Sequence, residues 1–293
     1  MKNYTLYRFK KQDLAECFKF GKNRVAVVGD SRGRQLTRSI KLYLQGKDGP
    51  WEDKVRHAGF IDDVYKVAGL KFFWSSSFIP KYTDWKMGGH LKEALTPSWD
   101  GNSSLIIVGQ HVIHPIHWLS GGKDIVKIEY FNKTLHKMVR ELPKNDTIWT
   151  YDHVVKPFVD SGLLNKTLEA LNQQPWLKIV FLAAQYPIRF PKNIQPHSNN
   201  YIESYNFYMK KIIQEQNHDR LKWFEASTLI GLSPEGAPLT PDGTHLNWNY
   251  DYLKKNMKLS DSEIKREKLK MAPTHMAMND VIFNWACQDF VKR

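Results

Sequence analysis

The sequence predicts an α/β protein, a mainly parallel sheet covered on both faces by helices, and three observations lead there. Short β-branched or aromatic runs alternate with helical patterns along the chain. Several of these runs are apolar at every position, as strands buried on both faces must be. The 293 residues, 42% of them hydrophobic with ten Trp, thirteen Tyr and fifteen Phe, supply ample core. Such a composition excludes a disordered or low-complexity chain. No repeat and no linker divides the sequence, so a single domain over residues 1–293 is expected.

Taken in order, strands are expected at Arg24–Val28, Leu70–Trp74, Ser104–Val108, Thr147–Tyr151, Lys178–Ala183 and Lys222–Glu225. Helices are expected at Arg32–Tyr43, Asp124–Glu141, Val159–Gln173, Asn200–Glu215 and Thr274–Phe290. Within 200–215, Ile202, Tyr205, Tyr208, Met209, Ile212 and Ile213 recur at helical spacing and read as a core stripe. Pro-rich Gln185–His197 and Gly231–Gly243 read as loops, and Leu259–Lys270 as a strongly charged insertion forming a solvated helix. Alternating βαβα order places ligands beyond the C-terminal ends of the strands.

Charge and compartment come next. Forty-three Lys and Arg against thirty Asp and Glu leave a net charge of +13, which suits an anionic partner. The basic residues are spread along the chain and no recognition motif accompanies them, so nucleic acid is not expected. No stretch approaches the roughly 18 apolar residues of a membrane span. The start, Met1 to Thr5, is polar and lacks the apolar core of a signal peptide, so the chain is either cytosolic or cut from something longer. Asn-x-Ser/Thr occurs at Asn3, Asn102, Asn132, Asn145 and Asn165. Chance placement among seventeen Asn gives only about two, so these N-glycosylation candidates favour a secretory lumen. Cys17 and Cys287 are the two cysteines, and they either staple the termini together or remain unrelated buried thiols.

The sharpest motif is Gly29-Asp30-Ser31, preceded by the apolar run Val25–Val28 and followed by a helical pattern from Arg32. Ser31 therefore sits at a strand-to-helix turn, with its hydroxyl at the sheet's C-terminal edge. Its backbone N–H, at a helix N-terminus, could stabilise an oxyanion. Alone, the motif equally describes an N-cap serine. Pro241-Asp242-Gly243-Thr244-His245-Leu246 changes the balance, because a serine hydroxyl needs a base and the base needs an orienting acceptor. Asp-x-x-His supplies both within one turn.

Together these blocks resemble the first and last blocks of the SGNH/GDSL hydrolase superfamily. The longer string Gly-Asp-Ser-Arg-x-Arg-Gln-Leu at 29–36 is closer to the luminal catalytic domain of the animal sialic acid O-acetyltransferases. Tyr4-Thr5, Cys17, Phe72-Phe73-Trp74, Ile202-Glu203-Ser204-Tyr205-Asn206 and Asp242–Leu246 extend that likeness over roughly residues 3–290. It implies a three-layer α/β/α sandwich with Ser31 as nucleophile, His245 as general base and Asp242 as its orienting partner. It implies acetyl-CoA as acetyl donor with no bound cofactor, and an anionic sugar or nucleotide sugar, CMP-sialic acid foremost, as acceptor. It implies the Golgi lumen. The family domain is usually joined to a multi-span membrane region, so this chain is expected to be an excised or soluble luminal domain.

Other expectations concern the rest of the site. The family's usual Gly-x-Asn-Asp block is replaced here by Gly109-Gln110-His111, which leaves Ser31, Gly109 and Gln110 as oxyanion-hole candidates. A further glycine could come from Gly88 or Gly89, or the Ser75–Ser77 run could serve instead. Arg32, Arg34 and His111 are substrate-binding candidates, the arginines read equally as helix-surface ion-pair partners or, one of them, as a clamp for a carboxylate or phosphate on the acceptor. His111, His114 and His117 recur every three residues, but Pro115 interrupts any helix and no carboxylate joins them, so no metal is expected. Cys17 and Cys287 are expected to be bridged. Two alternatives retain the fold: a carbohydrate acetylesterase using the same triad, and a non-catalytic glycan-binding module.

Overall fold

A computed structural model describes residues 6–19, 24–29, 33, 36–37, 39–40, 43, 70–74, 91, 94–95, 103–109, 150–184, 195–225, 254, 258, 260–263 and 273–291. Five strands, β1 (Val25–Gly29), β2 (Leu70–Trp74), β3 (Leu105–Gly109), β4 (Lys178–Leu182) and β5 (Leu221–Phe224), form one all-parallel sheet in the order β2-β1-β3-β4-β5. β1, β3 and most of β4 are buried throughout, which is why their sequences show no polar alternation.

The helices are α1 (Lys11–Cys17), α2 (helical at Gly33, Leu36, Thr37, Ser39, Ile40 and Tyr43), α3 (helical at Leu91, Ala94 and Leu95), α4 (Tyr151–Val154), α5 (Lys156–Asp160), α6 (Leu163–Gln173), α7 (Gln195–Glu215), α8 (Pro273–Ala286) and α9 (Gln288–Val291). They divide between the two faces of the sheet. Ala26, Val28, Ile106, Val108, Ile179 and Phe181 point into a core shared with α3 to α7. Their strand neighbours Val25, Val27, Leu105, Ile107, Val180 and Leu182 point the other way, into a core shared with α1, α2 and α8. The result is a single α/β domain with helices on both faces.

Several expected elements differ: α7 already begins at Gln195, inside the stretch 185–197 expected to be a loop, and the helix expected over 274–290 is divided at Cys287 into α8 and α9. The β-branched and aromatic residues of Thr147–Tyr151 predict a strand, yet Tyr151 opens α4; residues 147–149 lie outside the described residues. The Thr150 carbonyl accepts from the Val154 N–H at 3.2 Å and the Tyr151 carbonyl from the Val155 N–H at 3.0 Å. Tyr151, Val154, Val155 and Phe158 then fall at i, i+3, i+4 and i+7, and all join or pack against the core, so tertiary burial at helical period overrides local β preference. The single helix expected over Val159–Gln173 is broken by Gly162, which adopts φ 72°, a left-handed conformation glycine takes without Cβ strain. α6 begins after it.

The core stripe of the 200–215 helix is found as expected for Ile202, Tyr205, Met209, Ile212 and Ile213, which are buried, and Tyr208 packs partly buried against them. α7 stops where Asn217 takes φ 46° in place of the usual capping glycine. In the charged insertion, Ser260 and Glu263 exchange reciprocal bonds: the Ser260 N–H donates to Glu263 Oε2 at 2.9 Å and the Glu263 N–H to Ser260 Oγ at 3.3 Å. This capping box opens a helical turn at 261–263, where residues 260–262 are exposed. The expected helix over 124–141 lies outside the described residues.

The two chain ends meet on the α2 and α8 face. Cys17 and Cys287 are disulfide-bonded, with Cα atoms 5.8 Å apart, which decides between the staple and the two separate thiols. Tyr7 and Asn284 add reciprocal bonds, the Tyr7 N–H to Asn284 Oδ1 at 2.9 Å and Asn284 Nδ2 to the Tyr7 carbonyl at 2.7 Å. The buried Tyr43 hydroxyl accepts from the Phe9 N–H at 3.1 Å and donates to Asp280 Oδ1 at 2.7 Å. Burial, with the Asp280 carboxylate beside it, pushes that phenol well above its ordinary range.

Candidate active site at the sheet's C-terminal edge

In a parallel sheet of order β2-β1-β3-β4-β5 the chain reverses its direction of winding between β1 and β3. The helices after these two strands cannot fill the gap above that point, and ligands of open α/β sheets bind there. The backbone at this point is closely packed. Gly29 and Gly109 are register partners, each the last residue of its strand. A Cβ on Gly29 would lie 2.5 Å from the Gly109 carbonyl oxygen and 3.2 Å from Gly33 Cα. Only glycine permits β1, β3 and the start of α2 to approach so closely.

The chain leaves β1 at Gly29 and is helical at Gly33, so Asp30, Ser31 and Arg32 occupy the three connecting positions. These three residues lie outside the described residues. So do Arg34, Gln110, His111, Asp242 and His245, the serines at 75–77, Gly88 and Gly89, and His114 and His117. Gly109 is described: it is buried at the tip of β3, and a Cβ added there would lie 3.0 Å from Leu182 Cβ.

One polar side chain at this edge has a role that local sequence pattern does not announce. Asn206 of α7 binds both backbone groups of Ala184, its Nδ2 donating to the carbonyl at 2.9 Å and its Oδ1 accepting from the N–H at 2.8 Å. Gly109 pairs in register with Leu182, so Ala184 stands two residues beyond that level. The amide thus terminates β4 in place of a further strand residue.

The opposite edge has a different character. A cavity of about 310 Å³ lies there against the disulfide, lined among others by Trp176, Lys178, Arg220 and Asp289. Arg220 is occupied structurally: Nη1 donates to the Gln174 and Leu177 carbonyls at 2.7 and 3.1 Å, and Nη2 to the Leu171 carbonyl at 2.6 Å. It caps α6 and fixes the entry to β4. His218 Nδ1 accepts from the Arg220 N–H at 3.2 Å, another structural role.

Among the described residues, no group of three or more His, Cys, Asp or Glu is placed to hold a metal ion. No helix among them is long and apolar enough to cross a membrane. Of the five sequon asparagines only Asn165 is described; it is exposed on α6, while Thr167 of the same sequon is buried with its hydroxyl on the Leu163 carbonyl at 2.7 Å. Asn3, Asn102, Asn132 and Asn145 lie outside the described residues. No protein-family model matches the chain, and no curated protein matches it.

Proposed function

We propose that the protein is a carbohydrate O-acetyltransferase of SGNH-type three-layer fold, working through an acetyl-serine intermediate. The observation that carries this reading is the β1 exit. A strand buried on both faces runs through an obligate glycine into a helix within four residues, beside the reversal point of the sheet, and a serine stands in that connection. The Asp-x-x-His block supplies the base and its orienter from the C-terminal part of the chain.

In the proposed reaction Ser31 Oγ attacks the acetyl carbonyl carbon of acetyl-CoA while its proton passes to His245, whose other ring nitrogen donates to Asp242. The thioester C–S bond breaks, and the CoA sulfur leaves with the proton from His245. His245 next takes a proton from the acceptor hydroxyl, whose oxygen attacks the acetyl-serine. Ser31 is released with its proton restored. Backbone N–H groups at the start of α2, that of Ser31 included, with Gly109 at the end of β3 and Gln110, the next residue in sequence, are the candidates to hold the oxyanion. Arg32, Arg34, His111 and the net charge of +13 suit an acceptor bearing carboxylate or phosphate, such as CMP-sialic acid. The five sequons and the disulfide agree with the Golgi lumen.

The test is a comparison of products. The protein is incubated with acetyl-CoA and CMP-sialic acid, and separately with O-acetylated sialic acid in water. Acetylated nucleotide sugar in the first incubation supports the reading. Deacetylation alone assigns the same triad to an esterase, and neither product with retained sugar binding assigns the fold to a glycan-binding module.

A further inference from the structure

We propose that Asn165 is an N-glycosylation site that only the unfolded chain offers: a glycan is attached before α6 packs, and the folded protein no longer accepts one. The inference rests on the luminal part of the reading above and is independent of the acyl-transfer step. A sequon that a transferase can read belongs on a surface loop, yet Asn165-Lys166-Thr167 lies inside α6, the helix over Leu163–Gln173. The transferase reads two side chains, the Asn amide and the hydroxyl two residues on. In an extended chain, positions i and i+2 project from the same side, so both can be met at once. In a helix they stand about 200° apart. α6 shows that separation directly. Asn165 is exposed, in a row with Glu169 and Asn172, while Thr167 is 0% exposed and its Oγ1 donates to the Leu163 carbonyl at 2.7 Å.

The same arrangement leaves room for a glycan attached earlier. On the solvent face a sugar chain at Asn165 displaces none of Leu163, Leu164, Thr167, Ala170 and Leu171, the residues α6 buries. Before packing, α6 has little to hold it. Its eleven residues are too few for a stable helix in water, and the residue before them, Gly162, supplies no side-chain cap. The contacts that close α6 come later in the chain. Arg220 donates to the Leu171 carbonyl 49 positions back and to the Gln174 carbonyl 46 positions back, and Ile179, Phe181 and Trp223 belong to the core that the apolar face of α6 joins. At synthesis rates of about 5–20 residues per second, Arg220 follows Leu171 by roughly 2–10 s. During that interval Asn165 Nδ2 can attack C1 of a sugar held on a lipid pyrophosphate. The C1–O bond breaks, the pyrophosphate departs with its lipid, and the amide proton passes to a base of the transferase. Folding then buries Thr167 and closes the site.

The test follows the full chain by two routes. One sample is made through the secretory pathway of cultured animal cells behind a cleavable leader, deglycosylated enzymatically in heavy-oxygen water, and mapped by mass spectrometry, which marks each occupied Asn as labelled Asp. The other is folded, disulfide-bonded protein made without glycans and offered to purified oligosaccharyltransferase with its lipid-linked donor, beside a peptide spanning residues 160–172. Asn165 is expected to carry a glycan in the majority of secreted chains, and the folded protein to be modified there at least tenfold more slowly than the peptide. Asn165→Gln is expected to remove one glycan from the secreted product and to leave the Tm of the unglycosylated protein within about 2 °C, because the side chain faces solvent. A folded protein modified as fast as the peptide, or a peptide not modified at all, overturns the proposal, since the sequon is then read in the native state or in no state. Secreted chains with Asn165 empty and other sequons occupied overturn it too, since α6 then closes before transfer. Secreted chains empty at all five sequons overturn it together with the luminal reading, while acetyl uptake by Ser31 is judged separately.

Discussion

Gly29 is the residue on which the candidate site's backbone depends. The atom a side chain there would strike is a main-chain carbonyl oxygen, 2.5 Å away, and main chain inside a buried sheet cannot step aside as a flexible side chain does. Gly29→Ala is expected to destabilise the protein by about 2 kcal/mol or more, read from the midpoint of urea unfolding, with acetyl transfer reduced more than the loss of folded protein explains. Ser31→Ala makes the complementary prediction. It removes one hydroxyl, so Tm is expected to stay within about 2 °C, while transfer falls by roughly a thousandfold or more. At this scale Ser31, Asp242 and His245 are read from sequence alone, because an activated hydroxyl requires those residue types, and all three lie outside the described residues. The backbone contacts of Asn206 and the buried bond between Ser39 and Asn279 were not legible. Their partners are a backbone two residues past a strand and a side chain 240 positions away, and neither is written in local pattern.

Elements show where periodicity succeeds and where it fails. β1, β2, β3 and β4 lie within a residue of their expected bounds, because short apolar or aromatic runs that carry no helical period favour strands, whether central like β1 and β3 or at the edge like β2. The expected strand at Thr147–Tyr151 overruns on the same criterion: at its described end Tyr151 already belongs to a helix whose apolar period starts there. Gly162 splits one expected helix because a lone glycine inside a helical pattern is usually tolerated and gives no warning that its φ is positive. Arg220 illustrates an energetic role invisible in sequence. Its guanidinium serves three carbonyls of the α6 to β4 connection, a planar fork that an ammonium cannot reproduce. Arg220→Met is expected to cost about 2–3 kcal/mol in chemical denaturation, with Arg220→Lys recovering only a minor part, because the carbonyls are left short of donors.

At the scale of the whole molecule, the described residues form a five-stranded parallel sheet with helices on both faces and residues 17 and 287 tied together, and most of that was readable from βαβα alternation. Strand order was not, because the sequence does not say on which side of β1 the second strand lies. The disulfide closes nearly the entire chain into a loop, with 270 residues separating its cysteines. It acts together with the Tyr7–Asn284 bonds and with Tyr43 of α2, whose hydroxyl bridges the Phe9 N–H and Asp280. Cys17→Ser with Cys287→Ser is expected to lower stability by about 2–5 kcal/mol, seen as an earlier urea midpoint, and reduction of the wild type in dithiothreitol is expected to reproduce it. If oxidised and reduced protein unfold at the same midpoint, the bond contributes nothing to the native state.

The reading as an enzyme comes down to one chemical event, in which a serine at the β1 to α2 turn takes up an acetyl group. Mass spectrometry of the intact protein after incubation with acetyl-CoA, followed by peptide mapping, measures it directly. One acetyl adduct on Ser31, absent from Ser31→Ala and discharged when the sugar acceptor is added, is the expected outcome. No adduct, or an adduct elsewhere that survives in Ser31→Ala, rules the acetyl-serine mechanism out.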